Sequence, residues 1–268
     1  MIDDETLPPW ADDELSELLS MAEYNTRAAA HNLPEIYGLI ARVHRAFVRA
    51  REAVEKDNDH HRLIPRFLLA RAYSGCLASI RLSLGGQLFE AHVVLRAEIE
   101  QAWYALHLAM DPNPPTRAEI WLCRNEDSVT LGHCRSEFSA GSVRSTHEAV
   151  DPGAARYLHA LYERTIDFGG HPNQLGLVSG LTKSETGKTT AYHVPVLCAD
   201  TLPMVTTLHG VAAVAIGALK VFQAIFATRF QLVGLDAEIP DLVAGLNSIF
   251  KHYVPEAGAR GASEHEPD

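Results

Sequence analysis

The sequence feature that most constrains the fold is a glycine pair, Gly85-Gly86, between two long segments of helical periodicity. The segment 62–86 is rich in Leu, Ala and Arg, and the segment 87–110 repeats apolar residues at the spacing of an α-helix. A two-glycine connection leaves no length for a crossover, so the two helices must run antiparallel. The sequence therefore predicts a helical hairpin over about residues 62–110 at the core of the fold.

Further helical segments on both sides of the hairpin make the predicted fold class all-α, a helical bundle around the central antiparallel hairpin. Ala and Leu dominate the apolar residues and aromatic residues are only 7% of the chain, a composition that favours helices over strands. Acidic residues and prolines mark helix starts, and glycines mark helix ends. The predicted helices outside the hairpin cover about residues 14–31, 34–58, 116–138, 152–168, 203–230 and 237–252.

The stretch 171–200 is the exception to the helical pattern. It is rich in Gly, Thr, Ser and Pro and has no helical period. The part LTKSETGKTTAYHV fits a short β-hairpin around Thr186-Gly187, or it fits a long irregular loop, and the sequence leaves both open. Irregular segments of this length are uncommon and are often functional.

The formal net charge of −11 comes from the two ends of the chain. Residues 1–23 contain eight acidic residues and no Lys or Arg, and residues 256–268 contain four acidic residues and one Arg, so residues 24–255 are formally neutral. A neutral globular part argues against DNA as a partner, because DNA-binding proteins need Lys and Arg at the phosphates. We expect one helical domain over residues 1–254, with an acidic N-terminal helix, and a disordered tail at 255–268.

Cysteine usage and the N-terminal sequence predict a cytoplasmic protein. The four cysteines are widely spaced without a C-x-x-C pair, and the acidic start of the chain lacks the features of a signal peptide. Residues 201–219 carry no charged side chain and approach the length of a membrane-spanning helix. Because Pro203 and His209 lie inside this segment and Lys220 follows it, the preferred interpretation is a central bundle helix, and no membrane association is expected.

A row of polar and aromatic residues on the predicted helix 87–110 is the most informative functional pattern. By helical geometry, His92, Arg96, Glu100, Trp103 and His107 lie within about 80° of one another, beside an apolar stripe. An ordinary solvent-facing surface would be rich in Lys and Glu and would lack Trp. The row therefore faces a partner helix or a cavity, or else Arg96 and Glu100 form an ordinary i,i+4 ion pair. Arg96, Glu100 and Trp103 are the candidate ligand-binding residues on this helix.

The loop that follows the predicted helix 152–168 contributes two more candidates. Gly169-Gly170 end the helix, and His171 and Asn173 follow within three residues. Polar side chains at the end of a rigid element are often binding residues, so His171 and Asn173 are also candidate ligand-binding residues. The alternative is a glycine cap followed by a turn that the Asn173 side chain holds.

Motifs for metals, cofactors and activated nucleophiles are absent from the chain. H-E-x-x-H does not occur, nor does the repeated E-x-x-H of di-iron bundles, and no spacing requires a metal site built from His92, Glu100 and His171. The G-x-S-x-G, Walker and G-x-G-x-x-G motifs are missing too. We therefore expect no bound metal and no cofactor.

The region around the glycine turn resembles uncharacterised bacterial helical domains loosely related to the HEPN superfamily. The resemblance covers about residues 62–230 and is carried by an Arg- and Ala-rich helix, the turn and the sequence GGQLFEAHVVLRAEIEQAWYALHLAMDP. The matching positions are Gly86, Glu90-Ala91, Leu95-Arg96 and Glu100, with His171 near a later helix end. The resemblance implies an all-helical domain.

The same resemblance implies ribonuclease activity, because many HEPN ribonucleases carry Arg-x4–6-His near a helix end. The corresponding pair here is Arg164-x6-His171, which makes Arg164 and His171 the candidate catalytic residues. Two features depart from the family pattern. Thr165 stands where Asn, Asp or His is commoner, and Gly169-Gly170 interrupt the helix that would align the pair.

Three functional hypotheses remain open at this point. In the first, a non-catalytic interaction or ligand-sensing protein presents Arg96, Glu100 and Trp103 to a partner or to a small anionic ligand. In the second, a HEPN-like ribonuclease uses His171 as acid and base and Arg164 to stabilise the phosphorane, so that RNA is the partner. The third is a metal-dependent hydrolase of unknown substrate.

We also expect a homodimer whichever hypothesis holds, because helical hairpins often pair. Tryptophans are enriched at the centres of interfaces. The candidate interface anchors are Trp10, Trp103 and Trp121.

Overall fold

The computed structural model describes residues 11–170, 174, 178, 181–186, 189–199 and 201–253. It confirms the predicted all-α bundle. The α-helices of the described part are α1 Glu14–Asn32, α2 Pro34–Val54, α3 Leu63–Gly85, α4 Leu88–Ala109, α5 Thr116–Leu122, α6 Ser128–Glu137, α7 Ala140–Val150, α8 Pro152–Thr165, α9 Thr201–Ile225, α10 Ala227–Leu232 and α11 Leu235–Tyr253. Helix α8 continues into a π-helical turn, Ile166–Gly170, and strands β1 Thr182–Thr186 and β2 Thr189–His193 form one antiparallel hairpin.

The α3–α4 hairpin forms the centre of the fold as the glycine pair predicts. Gly86 adopts φ 98°, the left-handed conformation that ends a helix at low cost only in glycine. The Gln87 N–H then donates to the Leu82 carbonyl at 2.8 Å. A side chain at position 86 would also come within 2.7 Å of the Cys198 carbonyl oxygen. Gly86 therefore makes the turn and lets the segment before α9 pass close to it.

Helix α9 is the most apolar helix and packs against α2, α3, α4, α8 and α11. The described residues contain one helix long and apolar enough to cross a membrane, Leu202–Ile225, and 78% of its most apolar part is buried inside the protein. This burial explains its hydropathy, because a central bundle helix contacts apolar neighbours on nearly all sides. The structure agrees with its predicted role as a central helix of the bundle.

The prediction of one continuous helix over 116–138 was wrong, because the structure has two helices there, α5 and α6. Asp127 begins α6 with a capping box in which its carboxylate accepts from the N–H groups of Val129 and Thr130. Helix α7 was not predicted. Ser139 caps α7, and its side chain accepts from the Ser142 N–H at 3.2 Å.

The β-hairpin that the sequence left open within 171–200 is present. Thr182 pairs with His193 and Thr186 pairs with Thr189. The predicted site residues His171 and Asn173 lie outside the described residues, as does the predicted tail at 255–268.

Candidate ligand-binding site

The polar row of α4 contacts other helices of the same chain over most of its length. In its middle, Arg96 Nε lies 3.0 Å from Glu100 Oε1, so the i,i+4 ion pair that the sequence offered as an alternative is present. The Tyr162 hydroxyl of α8 donates to the same Glu100 oxygen at 3.1 Å, and the Arg96 guanidinium lies over the Tyr162 ring, 5.3 Å from its centroid. Arg96 and Glu100 thus join α4 to α8.

Trp103 lies inside the bundle with 2% of its surface exposed. Its indole Nε1–H donates to His147 Nδ1 of α7 at 3.1 Å, and its ring packs 5.1 Å from the Tyr162 ring. Because His147 Nδ1 accepts this bond, the imidazole is neutral, and burial also lowers its pKa. The polar edge of Trp103 is therefore satisfied within the core, and the residue lines none of the cavities described below.

The C-terminal end of the row is held by a closed hydrogen-bond network. His107 is 1% exposed, and its two ring nitrogens contact Thr146 Oγ1 at 2.7 Å and Glu137 Oε1 at 3.1 Å. Arg117 Nε donates to the same Glu137 oxygen at 2.7 Å, and Arg117 Nη1 donates to the His107 carbonyl at 2.8 Å. Burial, followed by the neighbouring Arg117 charge, lowers the pKa of His107. This end of the row is structural, because every polar group that it contains has a partner.

The N-terminal end of the row opens instead into a cavity of about 260 Å³. Helices α4, α8 and α9 and the π-helical turn supply its walls, and we call it the Arg164 cavity. Its lining residues are Leu88, Phe89, His92, Arg164, Phe168, Leu202, Pro203, Thr206 and Thr207. Most of this lining is hydrocarbon, and the polar groups are one guanidinium, one imidazole and two hydroxyls.

A glycine brings the π-helical turn against the cavity wall. A side chain at Gly169 would collide with the Phe89 carbonyl oxygen and come within 2.9 Å of His92 Cβ. The close approach that glycine permits places the Phe168 ring 5.7 Å from the His92 ring. Gly169, which was predicted to end a helix, therefore also shapes the cavity.

The Arg164 cavity is electropositive. Arg164 is exposed at its rim, and no carboxylate among the described residues lies within 4.0 Å of its guanidinium. Burial, followed by the charge of Arg164, lowers the pKa of His92 to about 4, and the same two causes lower the pKa of His209 nearby. His92 Nδ1 is buried and has no hydrogen-bond partner among the described residues. The cavity thus combines one permanent positive charge with the neutral imidazole of His92.

The structure divides the candidate residues from the sequence into three groups. The first group contacts neighbouring helices and consists of Arg96, Glu100 and Trp103. The second is Arg164, which lies at the cavity. The third, His171 and Asn173, is outside the described residues. Sequence reasoning missed the contribution of α9 to the cavity. The signal that could have revealed it is Thr206-Thr207, two adjacent hydroxyl residues near the start of the most apolar helix.

A buried carboxyl lies on the α3-facing side of α4, away from the row. Glu98 is 1% exposed, and neither of its carboxyl oxygens has a hydrogen-bond partner among the described residues. Gly75 of α3 faces it, and a Cβ atom at position 75 would lie 3.5 Å from Glu98 Cβ, an ordinary packing distance. Burial raises the pKa of Glu98 well above its usual range, because the interior disfavours the charged form.

Within the described part of the chain, no three His, Cys, Asp or Glu residues come together in a way that could hold a metal ion. Comparison of the chain with protein-family models, curated proteins and solved structures gave no match. By its fold, the protein belongs to the class of all-α bundles. Its small electropositive cavity is the feature that indicates a function.

Proposed function

We propose that this protein is a non-catalytic ligand-sensing protein whose Arg164 cavity binds a small organic monoanion, a carboxylate on a short apolar skeleton. The single observation that carries the proposal is an arginine that has no carboxylate partner among the described residues and lies at the rim of a mostly apolar cavity. A charge-assisted hydrogen bond to Arg164 would hold the carboxylate. The apolar skeleton would contact Leu88, Phe89 and Phe168, where its burial removes hydrocarbon surface from water.

The size and polarity of the cavity restrict the ligand further. A volume of about 260 Å³ has room for about nine water molecules, which matches a ligand of eight to ten non-hydrogen atoms. A phosphate ester carries close to two negative charges, and burying it against a hydrocarbon wall with one arginine would leave charge uncompensated. The cavity therefore favours a monocarboxylate over a nucleotide.

The polar groups of the cavity support binding better than catalysis. The Thr206 hydroxyl donates to the Leu202 carbonyl at 2.9 Å, and the Thr207 hydroxyl donates to the Pro203 carbonyl at 3.0 Å. Neither hydroxyl is bonded to a general base in the described part of the chain, which an activated nucleophile would need. His92 is a neutral imidazole, so it can form a hydrogen bond with a bound ligand.

The test compares hexanoate with 1-hexanol by isothermal titration calorimetry. Hexanoate is expected to bind at least about tenfold more tightly, because only the carboxylate engages Arg164. Arg164→Gln should reduce hexanoate affinity by about tenfold or more, whereas the matched control Arg156→Gln, an exposed position on the same helix, should leave it unchanged. Equal affinities for hexanoate and hexanol, or an unaffected Arg164→Gln variant, would refute the proposal.

HEPN-like ribonuclease activity is the second candidate, and one observation favours it. Arg164 shares a cavity with an imidazole, that of His92, so a phosphate-stabilising cation and a proton acceptor lie close together. His171, the family-like partner of Arg164, lies outside the described residues and remains a prediction. RNA decay should slow at least about tenfold in His92→Ala and His171→Ala if this candidate is right. Equal decay with wild type and both variants would eliminate it.

The third hypothesis, a metal-dependent hydrolase, gains no supporting observation.

We propose further that the protein is cytoplasmic and forms a homodimer. Burial of α9 inside the bundle supports a protein that folds in water. Of the three tryptophans considered as interface anchors, Trp103 is buried in the core, which leaves the partly buried Trp121 and Trp10, the latter outside the described residues. Light scattering coupled to size-exclusion chromatography should give twice the monomer mass of 29.4 kDa, and a monomeric mass at high concentration would contradict this proposal.

A further inference from the structure

A second cavity, of about 200 Å³, lies where α3, α4 and the α5 region meet. It shares no lining residue with the Arg164 cavity. Its walls combine one acid, one base, one amide, two aromatic rings and one aliphatic side chain. These residues are Leu68, Glu100, Gln101, Tyr104, Trp121 and Arg124.

Among the described residues, the hydrogen bonds to the acidic group of this cavity, Glu100, use only one of its two carboxylate oxygens. The contacts that Arg96 and Tyr162 make with Glu100 both use Oε1. The Glu100 side chain is 41% exposed, so its Oε2 atom can take a further donor from the cavity side. The Arg96 contact holds the carboxylate in one orientation, which lowers the entropy cost of binding a second donor.

The basic group is Arg124, which is exposed just after α5. No carboxylate of the described residues lies within 4.0 Å of its guanidinium. Tyr104 lies near both charges. Burial raises the pKa of its hydroxyl, Glu100 raises it further, and Arg124 lowers it. The Tyr104 hydroxyl itself donates to the Phe138 carbonyl at 3.1 Å, so the ring is fixed as a wall.

We propose that this cavity binds a small zwitterion, a molecule with an ammonium group and a carboxylate on a short carbon skeleton. The ammonium lies against the Trp121 and Tyr104 rings and Oε2 of Glu100, as cations do at aromatic faces. The carboxylate binds the Arg124 guanidinium. The skeleton contacts Leu68, and the Gln101 amide supplies a hydrogen bond to either end. This inference does not depend on the Arg164 cavity.

A ligand with a single charge matches the cavity less well. A simple cation would be bound next to the Arg124 guanidinium, and a simple anion would be bound next to the Glu100 carboxylate. A zwitterion places each of its charges beside an opposite one, and it adds no net charge to the site. The volume has room for about six or seven water molecules, which fits free amino acids and betaines.

The experiment follows the indole N–H signal of Trp121 in protein labelled with 15N-tryptophan. Trp121→Phe assigns that signal among the three tryptophans of the chain. The probes are glycine betaine and L-leucine as zwitterions, choline as a cation and isovalerate as an anion. At least one zwitterion should shift the Trp121 signal in a saturable way, with an affinity at least about tenfold above that of either single ion. The two zwitterions distinguish a quaternary from a primary ammonium.

Variants of each charged group complete the test. Arg124→Gln and Glu100→Gln should each weaken the zwitterion by about tenfold, and Glu100→Gln keeps the oxygen that Arg96 and Tyr162 bind. Arg135→Gln, an exposed arginine on α6, is the matched control and should change nothing. The proposal fails if neither zwitterion shifts Trp121, if choline or isovalerate binds as well as the zwitterions, or if Arg124→Gln and Arg135→Gln behave alike.

Discussion

The two ends of α4 carry the same residue type in different surroundings. His107, at the C-terminal end, is buried with partners on both ring nitrogens, whereas the buried Nδ1 of His92, at the N-terminal end, has none among the described residues. The difference comes from the neighbouring elements. Helices α6 and α7 bring Glu137 and Thr146 to His107, but the π-helical turn and α9 bring mainly hydrocarbon to His92.

This comparison separates structural polar groups from those available to a ligand. A polar row with a complete set of partners stabilises helix packing and has little left to offer a ligand. Where the partners are missing and a cavity is present, the same row can bind something from solution. Both ends follow one helical pattern in the sequence, so the pattern alone does not tell them apart.

The largest expected effect is a contrast between matched alanine substitutions at the two ends. His107→Ala should lower the free energy of unfolding by about 3 kcal/mol, because it removes the buried hydrogen bonds to Glu137 and Thr146 and opens a space beside Phe138. His92→Ala should cost about 1 kcal/mol or less, since it breaks no hydrogen bond made by the described residues and lies beside a cavity already present. Urea unfolding of both variants measures the contrast, and a larger loss in His92→Ala would overturn it.

The second effect is a pH dependence confined to the His92 end. The pKa of His92 is about 4 in the folded protein and about 6.5 in the unfolded chain, so the unfolded chain binds more protons between these values. The resulting stabilisation is present above about pH 6.5 and is lost as the pH falls towards 4. The loss should be about 2 kcal/mol after allowance for partial exposure, and His92→Gln should lack it. Identical pH profiles of unfolding free energy for wild type and His92→Gln would contradict this.

The third effect concerns Glu98, a buried carboxyl group that has no hydrogen-bond partner among the described residues and lines neither of the two cavities. Its pKa is raised in the folded state, so folding becomes less favourable as the pH rises above about 4.5, the pKa of an exposed Glu. Glu98→Gln should therefore stabilise the protein by about 1 to 2 kcal/mol at pH 8 and by much less at pH 4.5. Thermal unfolding at both pH values measures this, and a variant that is destabilised at pH 8 would show that the carboxylate has a partner.

The smallest effect is expected for the ion pair in the middle of the row. Arg96 and Glu100 are 30% and 41% exposed, and pairs of this kind contribute about 0.5 kcal/mol. A double-mutant cycle with Arg96→Gln and Glu100→Gln should give a coupling free energy of that size, decreasing with added salt. A coupling free energy well above about 1 kcal/mol would mean that the contact with the Tyr162 ring dominates the interaction.

The parts of the fold that the sequence predicted are those governed by local signals. Gly86 needs only its own backbone to end α3, and the apolar character of α9 appears in an unbroken run of residues. The Asp127 cap that divides α5 from α6 was overlooked because an N-cap carboxylate resembles any surface acid within a helical pattern.

The candidate site was predicted in part. The position of the polar row on one face of α4 follows from helical geometry, so the row itself could be found. The partners of its members come from residues far away in the chain, such as Glu137 for His107 and Tyr162 for Glu100. The packing of helices that are remote in sequence decides which end of the row opens into a cavity. No local sequence pattern predicts this packing.

The hydrogen bond from the Cys198 N–H to the Gly86 carbonyl, at 2.8 Å, has a consequence for hydrogen exchange. Cys198 lies in a segment without regular secondary structure, where amide protons ordinarily exchange rapidly with solvent. Here its amide is held by the turn of the most central helix pair. The amide proton of Cys198 should therefore exchange as slowly as that of Gln87. The segment before α9 should then unfold locally together with the α3–α4 turn, as one cooperative unit.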